Sequence, residues 1–276
     1  MNRQRGFSVI EIIIGIVIVG LIGVVAWVFV QNIGGAKGGL LAGLGGTFAD
    51  SQNLIWTQSQ NDWEAHGTPP ACPSQPMLKS PADLSKATSV LYPGQIRGGN
   101  YKPHGGLRFD NANDNVVTVV APMSGYVARG TSYVEMGEIQ YMFDIINNCG
   151  VMYRLDHLHD ISSALQKIAA QWPTPSESSM THQIQPAVYI KQGDTLATKV
   201  GFISTKNAGF DFGVYDLRAT NPSSESNAYQ VAHPQRELAW HAVCWLKGWL
   251  PTSDQTLVLA LPAGDQKNGK ISDYCQ

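Results

Sequence analysis

Hydrophobic and polar positions divide the chain into three zones. Residues 1–5 are polar and carry Arg3 and Arg5. After a short mixed stretch, an apolar run extends from Ile12 to Val30. At 1.5 Å per residue, a helix over this run covers about 28 Å, enough to cross a bilayer core. The arginines ahead of it are retained in the cytoplasm by the positive-inside rule, and Trp27 falls where interfacial aromatics gather. The pattern predicts one transmembrane α-helix over residues 7–31, with its N-terminus inside. The bulk of the chain then lies outside the cytoplasm, anchored to the inner membrane. Residues 32–50 include the glycine-dense stretch from Gly34 to Gly46, which reads as a flexible linker.

The third zone, residues 51–276, has short apolar runs broken by Gly, Asn, Asp and Ser. Val116–Val120, Gln140–Ile146, Ala187–Ile190 and Phe210–Tyr215 have the length and β-branched or aromatic content of strands. One helix is predicted over Ile161–Gln171, ahead of Pro173, and Leu257–Leu261 before Pro262 reads as a closing strand. Phe48–Trp63 is open between a short strand and a helix. Three tryptophans, Trp240, Trp245 and Trp249, read as core. The fold class expected is mainly β, a sandwich or barrel-like domain with few helices.

Composition narrows the function classes. Among 276 residues, 43% are hydrophobic, too few for a polytopic membrane protein, and a net charge of -2 gives no basic surface for nucleic acid. Only 14% of residues are charged, so polarity comes from Ser, Thr, Asn, Gln and Gly, which suits a secreted β-rich domain. The four cysteines, Cys72, Cys149, Cys244 and Cys275, contain no C-x-x-C pair. An even count outside the cytoplasm favours disulfides, with three connectivities open.

The start of the chain has a particular order. Gly6-Phe7-Ser8-Val9-Ile10-Glu11 precedes the apolar core, whereas a secretory signal places its cleavage site after it. This arrangement resembles the type IV prepilin leader. The resemblance implies residues 1–6 as a leader cut after Gly6 by a prepilin peptidase, methylation of Phe7, and a role for Glu11 in meeting the terminal amine of a neighbouring subunit. An unpaired carboxylate at the edge of an apolar helix is costly, which gives Glu11 a physical reason for such pairing.

A second resemblance lies in residues 95–220. His104-Gly105-Gly106-Leu107, Ala121-Pro122-Met123-Ser124-Gly125, Asp156-His157-Leu158 and Gln192-Gly193-Asp194 occur in an order similar to that of the lysostaphin/LytM-like zinc metallopeptidases, which cleave cell-wall peptides. The resemblance implies a LytM-like β-sandwich. It puts His104 at the one matched ligand position and His157 at the histidine that assists the zinc water. Arg108 stands where an aspartate ligand belongs, and a guanidinium cannot bind zinc. Phe210 and Phe212 stand at the positions of an H-x-H pair, and neither offers a lone pair. A rearranged site of His104, Asp110 and His157 is the substitute on offer, with Asp110 sharing the face of Arg108. Asp211, between the two phenylalanines, is expected to face away.

The expectation is therefore a degenerate domain with no bound metal or other cofactor. Its groove would be lined by His104, Arg108, Asp110, His157, Phe210 and Phe212, and His157 would be a catalytic vestige. It would bind cell-wall glycopeptide or an envelope protein, within a pilus-like assembly. An active zinc endopeptidase and a purely structural minor pilin or adhesin are the alternatives. Cys244 and Cys275 both follow the LytM-like region and are expected to pair, which leaves Cys72 with Cys149.

Overall fold

The computed structural model describes residues 56–59, 62–234 and 238–275. The expected leader, membrane helix and linker lie outside the described residues, as do Gly6, Phe7 and Glu11. The chain divides into two compact units, Met1–Thr47 and Phe48–Gln276, and the second is described here. Among the described residues, no helix is long and apolar enough to cross a membrane.

The unit is mainly β. Its strands are β1 (Trp56–Gln58), β2 (Trp63–Ala65), β3 (Ser89–Leu91), β4 (Gln95–Arg97), β5 (Asn100–Lys102), β6 (Gly105–Arg108), β7 (Val116–Val120), β8 (Gly125–Glu135), β9 (Glu138–Ile146) and β10 (Val151–Ile161). Helix α1 (Ser163–Ala169) follows, then β11 (His182–Ile190), β12 (Thr195–Val200), β13 (Gly209–Asp216), α2 (Asn227–Ala232) and α3 (Thr252–Ala260). The four strand runs read from sequence fall in β7, β9, β11 and β13, and α1 lies inside the predicted helix. Phe48–Trp63 contributes β1 and the start of β2 within its described part. The expected closing strand Leu257–Leu261 is a correction: most of it is the C-terminal half of α3, stopped before Pro262. A short apolar run carries too little periodicity to separate strand from helix, and Pro251 opens this helix.

Nine strands form one antiparallel sheet in the order β11-β8-β9-β10-β13-β6-β3, with β12 pairing both β10 and β7. The branch occurs within β10. Val151–Asp156 pair with β13, whereas Leu158, His159 and Ile161 pair with β12. On the other side of β10, Leu155 faces Phe143 and Leu158 faces Tyr141. Three steps along β10 thus match two along β9, so one extra residue bulges out. His157 lies in this bulge at φ +61°, in the left-handed region that few non-glycine residues adopt. Hairpin β8–β9 closes through Met136 and Gly137, both at positive φ, as a tight two-residue turn needs.

The core fills from β-strand faces and the C-terminal segment. Phe210 stacks on Phe109 with centroids 6.0 Å apart, and Phe212 meets Trp245 edge-on at 5.0 Å. All four rings are buried, and each such side chain contributes roughly 2–3 kcal/mol. Charge is also buried. Asp144, with no exposure, accepts from Arg129 at 2.8 and 3.0 Å and from Arg154 at 2.7 and 2.8 Å. Both expected disulfides are present: Cys244–Cys275, expected from position, with Cα atoms 4.8 Å apart, and Cys72–Cys149, expected by exclusion, at 5.1 Å.

Candidate functional site

Three elements bring polar side chains together. His104 immediately precedes β6, His157 occupies the β10 bulge, and Asp211 stands in β13 between the other two strands. The loop carrying His104 is held by Arg97, whose guanidinium donates to the carbonyls of Tyr92 at 2.6 Å and His104 at 2.8 Å. Gly105 and Gly106 let the strand pass closely: a Cβ on Gly105 would lie 2.3 Å from the Leu91 carbonyl.

Asp211 is the centre of the arrangement. Its Oδ2 lies 2.8 Å from His104 Nε2 and 3.6 Å from His157 Nε2. Burial works against its charge, but His104 and His157 overcome that and hold the carboxyl well below the usual carboxylate range. The Nδ1 side of His157 meets the Gln140 carbonyl oxygen and the Tyr133 hydroxyl, with Glu135 3.8 Å away. Acceptors at both ring nitrogens call for a proton on each. Burial opposes the imidazolium, yet Asp156, Asp211 and Glu135 outweigh it and push His157 up to about 9. Asp156 Oδ1 accepts from the Tyr133 hydroxyl and from the His157 backbone N–H, both at 2.7 Å, which fixes the bulge.

Tyr133, Asp156, His157 and Asp211 floor a cavity of about 400 Å³, whose walls include Lys102, the β8–β9 hairpin and the segment around Glu177 and Ser179, while His104 lies behind Asp211 and outside the lining. Among the described residues, Asp156, His157 and Asp211 are the one group whose ligand atoms could share a metal ion, all within 4.8 Å of one another.

The expected groove residues divide. His104 and His157 come together on Asp211. Phe210 and Phe212 do not line the groove but turn into the core. Asp211 is therefore the residue of β13 that faces the site, the reverse of the expectation. The physical reason is size: the aromatic rings take the core face of β13, and Gly209, Asp211 and Gly213 are left for the other. Arg108 and Asp110 pair with each other at 2.9 Å on a half-exposed surface, and Asp110 is tied to the Thr88 hydroxyl at 2.8 Å. Neither lines the cavity, so the substitute set with Asp110 does not form. His159, two residues after His157, is buried, with Nε2 2.8 Å from the Gly201 carbonyl.

Sequence reading missed Tyr133, Glu135, Gln140, Asp156 and Asp211. For Asp211 a signal existed: Gly209-Phe210-Asp211-Phe212-Gly213 alternates large apolar with small or polar residues, and the large set belongs to the core.

Residues 1–27 match the family model of the prokaryotic N-terminal methylation motif. This match supports a pilin-like, membrane-associated protein whose leader is processed by a prepilin peptidase. No curated protein and no solved structure matches the chain.

Proposed function

We propose that this chain is a pilin-like protein anchored in the inner membrane, whose extracytoplasmic LytM-like domain binds cell-wall glycopeptide without cleaving it. The observation that carries the reading is the state of Asp211. Its Oδ2 is already engaged by the imidazoles of His104 and His157, while Arg108, Phe210 and Phe212 stand at the other positions that the resemblance implies for a hydrolase site. The residues do not fit a three-ligand zinc centre. Arg108 is paired outward with Asp110, two of the implied positions hold core phenylalanines, and His157 spends both ring nitrogens on oxygen acceptors. What is left is a recessed polar groove that can hold an extended peptide.

A second reading, a zinc endopeptidase, draws on one fact: Asp211 joins His104 and His157, so two imidazoles and a carboxylate meet in one place. Purified full-length protein separates the two. Co-sedimentation with insoluble cell wall, no stoichiometric zinc and no release of soluble wall peptides is the outcome expected. Stoichiometric zinc lost in His104→Ala, together with hydrolysis abolished by that change, would establish the hydrolase instead.

A further inference from the structure

The β1–β2 hairpin stands apart from the rest of the fold. It is a two-stranded sheet of its own, pairing Trp56 with Ala65, Thr57 with Glu64 and Gln58 with Trp63. Among the described residues, no backbone hydrogen bond joins it to the nine-stranded sheet. Side chains hold it instead. The Trp56 indole N–H donates to the Asn148 carbonyl at 3.1 Å. Arg129 donates to the side-chain carbonyl of Gln58, and its guanidinium lies 4.9 Å over the Trp63 ring. Asp62, in the turn between the two strands, places Oδ1 2.6 Å from Nε2 of the buried His241.

What the hairpin covers continues the floor of the groove. β10 and β13 pair Asp156 with Asp211, Arg154 with Gly213 and Met152 with Tyr215. Side chains two apart on a strand share a face, so Met152 and Tyr215 lie on the face that carries the two aspartates, about 13 Å along β10 from Asp156. Trp56 and Trp63 pack with Met152, Tyr215 and Ile146 in an apolar cluster separate from the main core. Lifting the hairpin therefore opens this cluster and leaves the main core closed. The cover is also imperfect: Trp63 Nε1 is buried with no hydrogen-bond partner among the described residues, which counts against the closed state.

From these features we propose that the β1–β2 hairpin is a releasable strap, which lifts while the nine-stranded sheet stays folded and uncovers an apolar extension of the groove floor. The proposal does not depend on what the groove binds. Local openings of this kind need less free energy than global unfolding, and an element without backbone bonds to its neighbours is a natural site for one. A two-stranded hairpin is marginal by itself, so the lifted strap loses its own pairing as well. Cys72, seven residues after Ala65, is bonded to Cys149 next to Asn148, so the strap leaves on a short lead and can return.

The test uses the full chain in detergent micelles, with amide hydrogen exchange and brief hydrogen peroxide labelling read by mass spectrometry. In the unaltered chain, the paired amides of β1 and β2 are expected to exchange at least about tenfold faster than those of β9 and β10. Asp62→Ala should speed the hairpin by a further factor of about ten, as for loss of a hydrogen bond to a charged group, with β9, β10 and β13 unchanged. Met152 and Met77 are both fully enclosed, one under the strap and the other in the main core. Peroxide should oxidise Met152 faster in Asp62→Ala and Met77 at the same rate as before. Gln58→Ala, at a half-buried residue, is expected to give the same pattern and carries the test if Asp62→Ala does not fold. Hairpin amides as protected as those of β9 and β10 in the unaltered chain would overturn the proposal. So would exchange that rises equally in hairpin and sheet in the variants, or faster hairpin exchange with Met152 oxidation unchanged, which would mean fraying without release.

Discussion

Asp211 and His104 meet through Oδ2 and Nε2 at 2.8 Å, yet the contact fails the angular requirement for a hydrogen bond, and Nδ1 of His104 has no partner either. The pair is a close contact held by the backbone from both sides: β6 and β13 are bonded neighbours, with Asp211 opposite Gly106. Replacing the carboxylate with an amide therefore leaves two imidazoles on either side of a group that no longer carries a charge. Asp211→Asn is expected to destabilise the domain by about 2–4 kcal/mol at pH 6, where losing one member of a buried pair is costly. Denaturant unfolding of the variant checks this; a loss under about 0.5 kcal/mol would mean that the contact contributes nothing.

His157 makes stability depend on pH. Its folded-state pKa of about 9 stands above the unfolded value of about 6.5. The stabilisation is fully present below about pH 6.5 and is lost as pH rises through about 9. It amounts to roughly 2–3 kcal/mol at most, since the ring keeps some solvent contact. Thermal unfolding from pH 6 to 10 should show the melting temperature falling over that window. In His157→Gln the fall should be shallower, and parallel curves for the two proteins would refute the assignment.

The buried triad of Arg129, Asp144 and Arg154 gives a sharper loss. Burial works against the Asp144 charge, but Arg154 and Arg129 hold its carboxyl at about 2. Asp144→Asn leaves two buried guanidinium groups sharing a neutral amide, at a cost of about 3–5 kcal/mol. The expected readout is a large drop in denaturant midpoint with no change in the slope of the transition. A midpoint within error of the parent would show that other partners of the arginines carry the load.

The two disulfides close loops of different length, 77 and 31 residues. In the chain-entropy description these contribute about 4–5 and about 3–4 kcal/mol respectively. Replacing each pair with alanine and measuring unfolding should rank Cys72–Cys149 as the more costly loss. Cys244–Cys275 also pins the C-terminus, so its removal should raise protease sensitivity near residue 275 first.

The sequence showed the strands of the sheet because their punctuation is local: apolar runs end at Gly, Asn or Pro, and Val116–Val120 is β7 to the residue. His104 and His157 were legible as a pair only through the order of motifs around them. Arg108 and Asp211 were not placed correctly, because each depends on which face of its strand looks inward, and Asp110 lies in the turn after β6. That choice is made by packing across the sheet, where Phe210 finds Phe109 and Phe212 finds Trp245. The bulge at His157 was invisible for a related reason. It exists only as a mismatch between β9 and β10, and a mismatch has no signature in either strand alone.

That choice of face yields a last expectation, at Gly213. If Asp211 looks into the groove, Gly213, two residues on, stands on the same side of β13. A Cβ there would lie 2.5 Å from the Tyr215 hydroxyl oxygen and 2.9 Å from the Cβ of His104. Both are closer than real side chains come, so Gly213→Ala must push Tyr215 or His104 aside. The Tyr215 hydroxyl is buried without a partner and can rotate little, since its ring is fully enclosed. His104, at the end of a loop before β6, is the neighbour more able to move. Overpacking of this kind costs about 1–3 kcal/mol. The substitution should also alter the His104–Asp211 contact, seen as a changed imidazole chemical shift in NMR titration of the histidines. Gly248→Ala is the matched control, because a Cβ there meets nothing within 4 Å, although its φ of +79° makes any side chain strained. A Gly213→Ala protein with parent stability and an unchanged His104 signal would mean that β13 presents its other face to the groove.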